Sequence, residues 1–373
     1  MSYLDHITSP TLLLDEKICR ANIKRMADKA ARHDMKLVPH FKTAQSHQIG
    51  DWAKEYNITE VAVSSIKMAE YLSGQGWVNI HIAFPFNPLE IPKLNEIAEK
   101  QSISVQLINA EITQMLVDQL TSPVGFFIEI DAGYGRTGVE VSDFGLIEKI
   151  LLIANNSKYL NFKGFYLHAG HSYYMPDIPA LYEQTRNALS MLKTKYSTEY
   201  PNLVTRTGDT PGCAVMEDFG DIDEMGPGNF VFYDLMQAEL GGCEKSDIAV
   251  CLAVPVVDIK KDRKEILIHG GGVHLAKDVL VDPNGFKNFG EVVYLNDRGW
   301  TIPEPENRSF LKSISQEHGV IKASDKLLAK VKVGDLLGIL PVHSCMTADA
   351  MGEYVTLDGK KVDHAEGAKA ILN

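Results

Sequence analysis

The sequence predicts an α/β protein: a TIM-type (β/α)8 barrel followed by a second, mostly β domain. Between residues 17 and 240, short apolar, β-branched runs alternate with longer helical patterns, the rhythm of βα units around a parallel sheet. The runs fall at 37–41, 61–64, 79–83, 103–107, 124–130, 162–168, 203–207 and 222–225. Eight of them are the number a closed barrel of this type needs. After about residue 241 the pattern changes to strand-like runs broken by Gly, Pro and Asp turns, which predicts the second domain.

Taken in order, the apolar run Thr11–Leu14 stands before the first helical pattern and is free to pair with the C-terminal sheet. The helical stretch 17–32 precedes the first barrel run, so each unit reads helix first and strand second. Stretches 92–100, with Pro92 in the first turn where proline is tolerated, and 182–196 have the apolar spacing of helices covering a barrel. Gly241-Gly242 is a natural joint. It divides a barrel over 15–240 from a β-rich domain over 241–373, into which 1–14 pairs. Strands are expected there at 248–259, 265–268, 331–340 and 353–357.

Composition narrows the function. With 373 residues, the chain is long enough for two domains, and 45% hydrophobic against 23% charged residues supplies a sizeable core. The formal net charge of -12 repels phosphate backbones and anionic lipid, so neither nucleic acid nor a membrane surface is an expected partner. Five cysteines form no CxxC pair, and their odd number argues against a disulfide scaffold and for a reducing cytoplasm. The opening MSYLDHITSP has no secretion-signal pattern, and no apolar stretch reaches the roughly 18 residues of a membrane span.

On a barrel of this kind chemistry collects where strands end and the following loops begin. Polar or Gly-rich sequence follows five runs: VPHFKTAQ, EIDAGYGRTGV, YLHAGHSYY, TRTGDTPGC and MGPGNFVFYD. The last two would let backbone N–H groups approach a phosphate, with Thr207, Gly208, Asp209, Thr210, Gly228 and Asn229 as the cradle. Asp209 is awkward beside an anion, so its backbone or an outward side chain is expected to serve. Lys42, at an apolar strand mouth, is expected to be buried and thus to offer a neutral amine for Schiff-base chemistry. His40 shares its strand face, His168 can stack on or bond to a ring, and the fork of Arg136 suits an anionic oxygen. An imine-forming lysine opposite a phosphate cradle suggests pyridoxal phosphate. The β run before 341 places His343 and Cys345 at alternate positions of an extended segment, so that both can face one ion. Imidazole and thiolate favour zinc. Asp349 is a candidate to orient a ligand.

The series VPHFKT, EIDAGYGRTGV, GFYLHAGHSYY, TGDTPG, PGNFVFYD and LPVHSC resembles the fold-type III pyridoxal-phosphate enzymes, specifically their D-threonine aldolase and D-serine dehydratase branch, from Ser9 to about Tyr354. The resemblance implies a cofactor-holding barrel and a homodimer that encloses each site. It implies Lys42 as the Schiff-base lysine, Arg136 near the cofactor's phenolic oxygen or the substrate carboxylate, and Tyr166 and Tyr173 as cofactor contacts. Gly208, Asp209 and Thr210 match the phosphate loop, and His343 and Cys345 match the divalent-metal pair. Departures occur at Val38, where the branch often has Arg, and at Ala44-Gln45. The stretch 224–228 carries no arginine for the pyridine nitrogen, which disfavours a plain alanine racemase. The substrate implied is a D-3-hydroxy amino acid, undergoing β-elimination or retro-aldol cleavage. A racemase of the same fold, a non-catalytic pyridoxal-phosphate carrier and a barrel enzyme using Lys42 on a phosphorylated sugar are the alternatives.

Overall fold

The computed structural model describes residues 3–175, 177–282, 284–365 and 367. Its chain divides into two units, one of residues 24–42 with 50–230, the other of the described residues of 1–23, 43–49 and 231–373. Strand β1 (Thr11–Leu14) belongs to the second.

The first unit holds β2 (Lys36–Leu37), β3 (Val61–Val63), β4 (Asn79–Pro85), β5 (Ser102–Leu107), β6 (Val124–Asp131), the short β7 (Val139–Glu140), β8 (Leu160–Leu167), β9 (Val204–Thr207) and β10 (Glu224–Met225). Their order is β2-β10-β9-β8-β6-β5-β4-β3, with β7 beside β6, and every pairing is parallel. The ring closes through a single bridge between His40 and Ala62. Phe41 N–H donates to Ala62 O at 2.8 Å and Ala62 N–H to Pro39 O at 2.9 Å. Each of the eight predicted runs overlaps one strand of this barrel, the first only at Leu37. The first is cut to two residues because Pro39 has no N–H to give the ladder, so the chain resumes pairing only at the bridge.

Helices cover the barrel with the face their spacing predicts. Ile178–Tyr196 starts at Asp177, whose side chain accepts the Ala180 N–H, and buries Leu181, Tyr182, Leu189 and Leu192. Ile91–Ala98 carries Pro92 in its first turn and ends two residues before the predicted limit.

The second unit is built from β1, β11 (Val250–Lys260), β12 (Glu265–His269), the hairpin β13 (Leu280–Val281) and β14 (Lys287–Asn288), β15 (Gly290–Asn296), β16 (Gly299–Thr301), β17 (Phe310–Ile314), β18 (His318–Lys322), β19 (Leu336–Pro341), β20 (Tyr354–Thr356) and β21 (Lys361–Val362). Its main sheet runs β12-β18-β17-β15-β19-β11-β1-β20-β21. All pairings are antiparallel except β1 with β20, and β1 lies against β11 with Leu13 opposite Cys251. The strand expected from residue 331 starts only at Leu336. A turn occupies the preceding residues, with Lys332 N–H on the Asp335 carboxylate at 2.7 Å and Gly334 at φ +92. The β15, β17 and β18 strands escaped the sequence reading; in β17 the period-two pattern is broken by a register shift between Leu311 and Ser313. Among the described residues no helix is long and apolar enough to cross a membrane.

Gly164 marks the tightest approach within the barrel sheet. It has φ +144, and a Cβ there would lie 1.8 Å from Val204 O on the neighbouring β9. Gly164→Ala must push β8 and β9 apart or rotate the backbone, so it is expected to lower stability by more than about 2 kcal/mol. Urea unfolding of the two proteins measures this, and equal midpoints would show that the strand pair relaxes freely.

Candidate active site

The ends of β9 and β10, predicted as separate turns, form one wall. Thr210 Oγ1 accepts N–H groups from both Gly228, at 3.3 Å, and Asn229, at 3.1 Å, while Gly226 N–H donates to Thr207 O at 2.7 Å. Thr207, Asp209, Thr210 and Asn229 are all buried. Gly208 is fixed by its N–H on Leu167 O at 3.0 Å. A Cβ on Gly208 would sit 2.2 Å from the Tyr166 hydroxyl, so only glycine lets that ring, projecting from β8, lie against the backbone. Asp209 turns its side chain to the helix Thr210–Val215 that it caps, accepting from Gly212 N–H at 2.6 Å and from the Ser172 hydroxyl at 3.1 Å. Burial pushes its pKa up to about 6 despite those bonds.

Lys42 follows the bridge residue His40 by two positions, and its N–H donates to His40 Nδ1 at 3.3 Å. Burial, then the Lys42 charge and neighbouring His168 and His81, holds His40 well below the ordinary histidine value. His168 Nδ1–H donates to Gly208 O, which leaves its Nε2 lone pair uncommitted by that bond. Burial, reinforced by Lys42 and Arg136, brings its pKa to about 3 against the opposing effect of the Gly208 bond. Both imidazoles are therefore neutral, and both sense the lysine. Lys42 itself is exposed, which corrects the expectation that burial neutralises it: the apolar run ends at Phe41.

Arg136 stands at the edge of this group. Its loop is wound around Asp131, whose carboxylate accepts N–H groups from Gly133, Tyr134 and Gly135 at 2.8–3.1 Å. The Arg136 guanidinium is exposed and lies 5.0 Å from the Tyr134 ring centroid. Tyr134 stacks on His171 at 5.5 Å and meets His168 edge-on at 6.2 Å. Tyr173 is half-buried in the turn Gly170–Tyr173 after β8. Sequence reasoning passed over Glu129, a buried carboxyl opposite Tyr166 whose pKa is pushed up to about 7, chiefly by burial. It lies within a largely apolar strand, two residues before Asp131, and its sequence context did not single it out. The donor set fits a phosphorylated aromatic aldehyde: a primary amine, two neutral imidazoles, and a buried wall of small and hydroxyl residues that a Cβ at Gly208 would obstruct.

In the second unit His343 and Cys345 come together, but not on an extended segment. His343 is the N-cap (φ -133, ψ 99) of the helix Ser344–Met351, and Cys345 lies in its first turn. The chain turns into a helix here because Asp234 Oδ2 accepts the Ser344 N–H at 2.9 Å. The two side chains are hydrogen-bonded to each other. Asp278 Oδ1 accepts from His343 Nδ1 at 3.2 Å, and Thr43 Oγ1 lies 3.0 Å from Cys345 Sγ. Asp349, a candidate to orient a ligand, accepts from Gln45 Nε2 at 3.0 Å. Asp278 and Thr43 were missed, being 65 and 302 residues away from the groups they meet. Burial opposes charge on His343, yet its bonds to Asp278 and Cys345 win and push its pKa up to about 11. Burial likewise opposes the Cys345 thiolate, and the His343 bond overcomes it, lowering that pKa. The histidine is thus held protonated and the thiol shifted toward ionisation, with imidazole and sulfur side by side as two donors that a divalent ion could take up with loss of a proton.

His269, His274 and Glu317 also cluster, with ligand atoms within 4.8 Å. There His274 Nδ1 accepts the Gly271 N–H at 3.2 Å, which keeps the ring proton on Nε2 and turns that nitrogen from a ligand into a donor.

Residues 14–234 match the family model of the alanine racemase N-terminal domain, and residues 249–357 that of a serine dehydratase domain. The chain is 29% identical to the D-serine dehydratase of Dictyostelium discoideum over 382 aligned positions, covering 94% of this chain and 93% of that one. It is 23% identical to D-threo-3-hydroxyaspartate dehydratase of Delftia sp., covering 94% of each. A cysteine-to-alanine mutant of a D-threo-3-hydroxyaspartate dehydratase, solved in the metal-free form, superposes with a TM-score of 0.88 at 22% identity over 98% of this chain and 99% of that one. That likeness shows the fold.

Among the described residues His343 is the one side chain bonded to the Asp278 carboxylate, so Asp278→Asn is expected to leave the far-UV spectrum unchanged and to weaken zinc binding by about 10- to 100-fold. Competition against a chromogenic chelator reads it. An unaltered zinc affinity would remove Asp278 from the metal site.

Proposed function

The chain belongs to the alanine racemase N-terminal domain family, and we propose that it is a pyridoxal-phosphate- and metal-dependent lyase acting on D-3-hydroxy amino acids by β-elimination. The observation that carries the reading is the hydrogen-bonded pair His343–Cys345 with Thr43 on its sulfur. Thr43 is the residue next to Lys42 in the chain. The fold is that of the fold-type III pyridoxal-phosphate enzymes, and the 29% identity to the D. discoideum dehydratase over nearly the whole chain favours elimination over retro-aldol cleavage.

When bound, pyridoxal phosphate supplies an electron sink for Cα, and a divalent ion supplies a Lewis acid for the β-hydroxyl. Lys42 would hold the cofactor through its amine, and the same amine would take the proton from Cα. Thr207, Gly208, Asp209 and Thr210, with Gly228 and Asn229, anchor the phosphate through backbone and hydroxyl groups. His40, His168 and Tyr166 pack and orient the ring. Arg136 and Tyr173 serve from the edge, the former toward an anionic oxygen. His343 and Cys345 hold the ion, zinc by donor softness, and Asp278 fixes the His343 tautomer. In the net reaction the Cα–H and Cβ–O bonds break, the hydroxyl leaves as water, and hydrolysis of the resulting imine gives an α-keto acid and ammonium. The reading includes a homodimer in a reducing cytoplasm, and a division of the chain at Gly241-Gly242.

Purified protein supplied with cofactor and zinc, assayed on D-serine, D-threonine and bulkier D-3-hydroxy amino acids, is expected to release keto acid and ammonium with glycine at background. Lys42→Ala is expected to lose the visible absorbance that borohydride fixes in the parent. Cys345→Ala should keep that absorbance, lose bound metal and turn over at least about 100-fold more slowly. Glycine and aldehyde as the main products would convert the reading to an aldolase, and full turnover in a chelated, metal-free preparation would remove the ion's role.

A further inference from the structure

A cavity of about 520 Å³ opens at the end of the barrel where the strands begin, lined by the first residues of β4, β5, β6, β8, β9 and β10. That volume lies in the range of small-molecule sites. The opposite strand ends carry Lys42 and the glycine-rich turns, so this cavity is separate from them along the strands. Inward-facing residues normally fill a barrel of eight strands; here two of the lining positions are Gly125 and Ser104.

Buried Arg206 stands in the wall. Its Nε donates to Glu224 at 2.6 Å and its Nη2 to Glu60 at 2.6 Å, while Phe127 lies 4.6 Å from its Cζ. Both carboxylates are thereby engaged, and Glu60 is also bonded to Lys36. Arg206 Nη1 has no hydrogen-bond partner among the described residues, and neither has Gln101 Oε1. Buried donors and acceptors of this kind need an explanation, a bound molecule being one. Lys163 lays its stem across Gly125, where a Cβ would meet Lys163 Cε at 2.8 Å, and it makes no ion pair among the described residues. The uncommitted groups are thus the Lys163 ammonium, the Nη1 of an Arg206 whose other nitrogens are ion-paired, and one neutral acceptor, beside the apolar residues Ile80, Ile103 and Phe127.

We propose that this cavity binds a small organic acid carrying a hydroxyl or amino group, its carboxylate on Lys163 and Arg206 and its donor on Gln101. The site is independent of the reaction assigned above. Calorimetric titration of the cofactor-loaded full-length protein with L-lactate and L-serine tests it, inorganic phosphate being the arm that detects a merely anionic preference. One saturable site is expected, retained in Lys42→Ala and weakened at least tenfold in Lys163→Met and in Gln101→Leu, each checked for folding by circular dichroism. The proposal is overturned by the absence of saturable binding or by affinity unchanged in Lys163→Met. It is equally overturned by binding lost in Lys42→Ala or by phosphate binding as well as the two acids.

Discussion

Eight parallel strands enclose a core only if the first and last edges of the sheet meet, and in this barrel the meeting is narrow. One bridge, His40 to Ala62, and the flanking bonds from Phe41 and Ala62 close the ring. On its other flank His40 N–H donates to Pro227 O at 2.9 Å, so the same residue is held from both sides. Lys42 lies two residues beyond that seam. A lysine on a free loop would sample a wide volume. Here its backbone N–H returns to the His40 ring, and the closure of the barrel itself fixes where its side chain starts.

The second constraint is a hydroxyl. Thr210 Oγ1 takes two N–H groups from the β10 end while its own residue opens the helix after β9. Without that stitch the two glycine-rich ends would be separate turns; with it they are one surface. Buried N–H groups demand acceptors, and the threonine meets that demand without adding charge. Asp209 commits its side chain to capping the helix Thr210–Val215, which turns its charge away from the wall.

Much of this was legible from sequence because it follows from periodicity and punctuation. Alternating β and α runs locate eight strands, and glycine at strand ends locates the rim. What was not legible depends on residues far apart in the chain or on competition between local structures. Asp278 meets His343 from 65 residues away. The His343–Cys345 pair was read as extended because a strand precedes it, yet buried Asp234 captures the Ser344 N–H and a helix starts one residue earlier than a strand pattern allows. Lys42 was read as buried because its run is apolar, but burial is a property of what covers a position, and the run says only what precedes it. In the second unit β17 was lost where a register shift breaks the period-two pattern on which strand recognition relies.

The helical setting of the pair has an electrostatic consequence that an extended one would lack. A thiolate in the first turn of a helix sits near its uncompensated N–H groups, which favour negative charge. The imidazolium at the N-cap adds a full positive charge, and Thr43 offers a hydroxyl proton to the sulfur. Asp234 works against the thiolate and for the imidazolium, and Asp278 for the imidazolium. The result is a thiol shifted toward ionisation and a histidine whose far nitrogen is engaged by a carboxylate. The neutral imidazoles His40 and His168 show the contrary design. Lacking a carboxylate partner and lying near a lysine, they stay uncharged, and a cation beside them meets no competing positive charge from either ring.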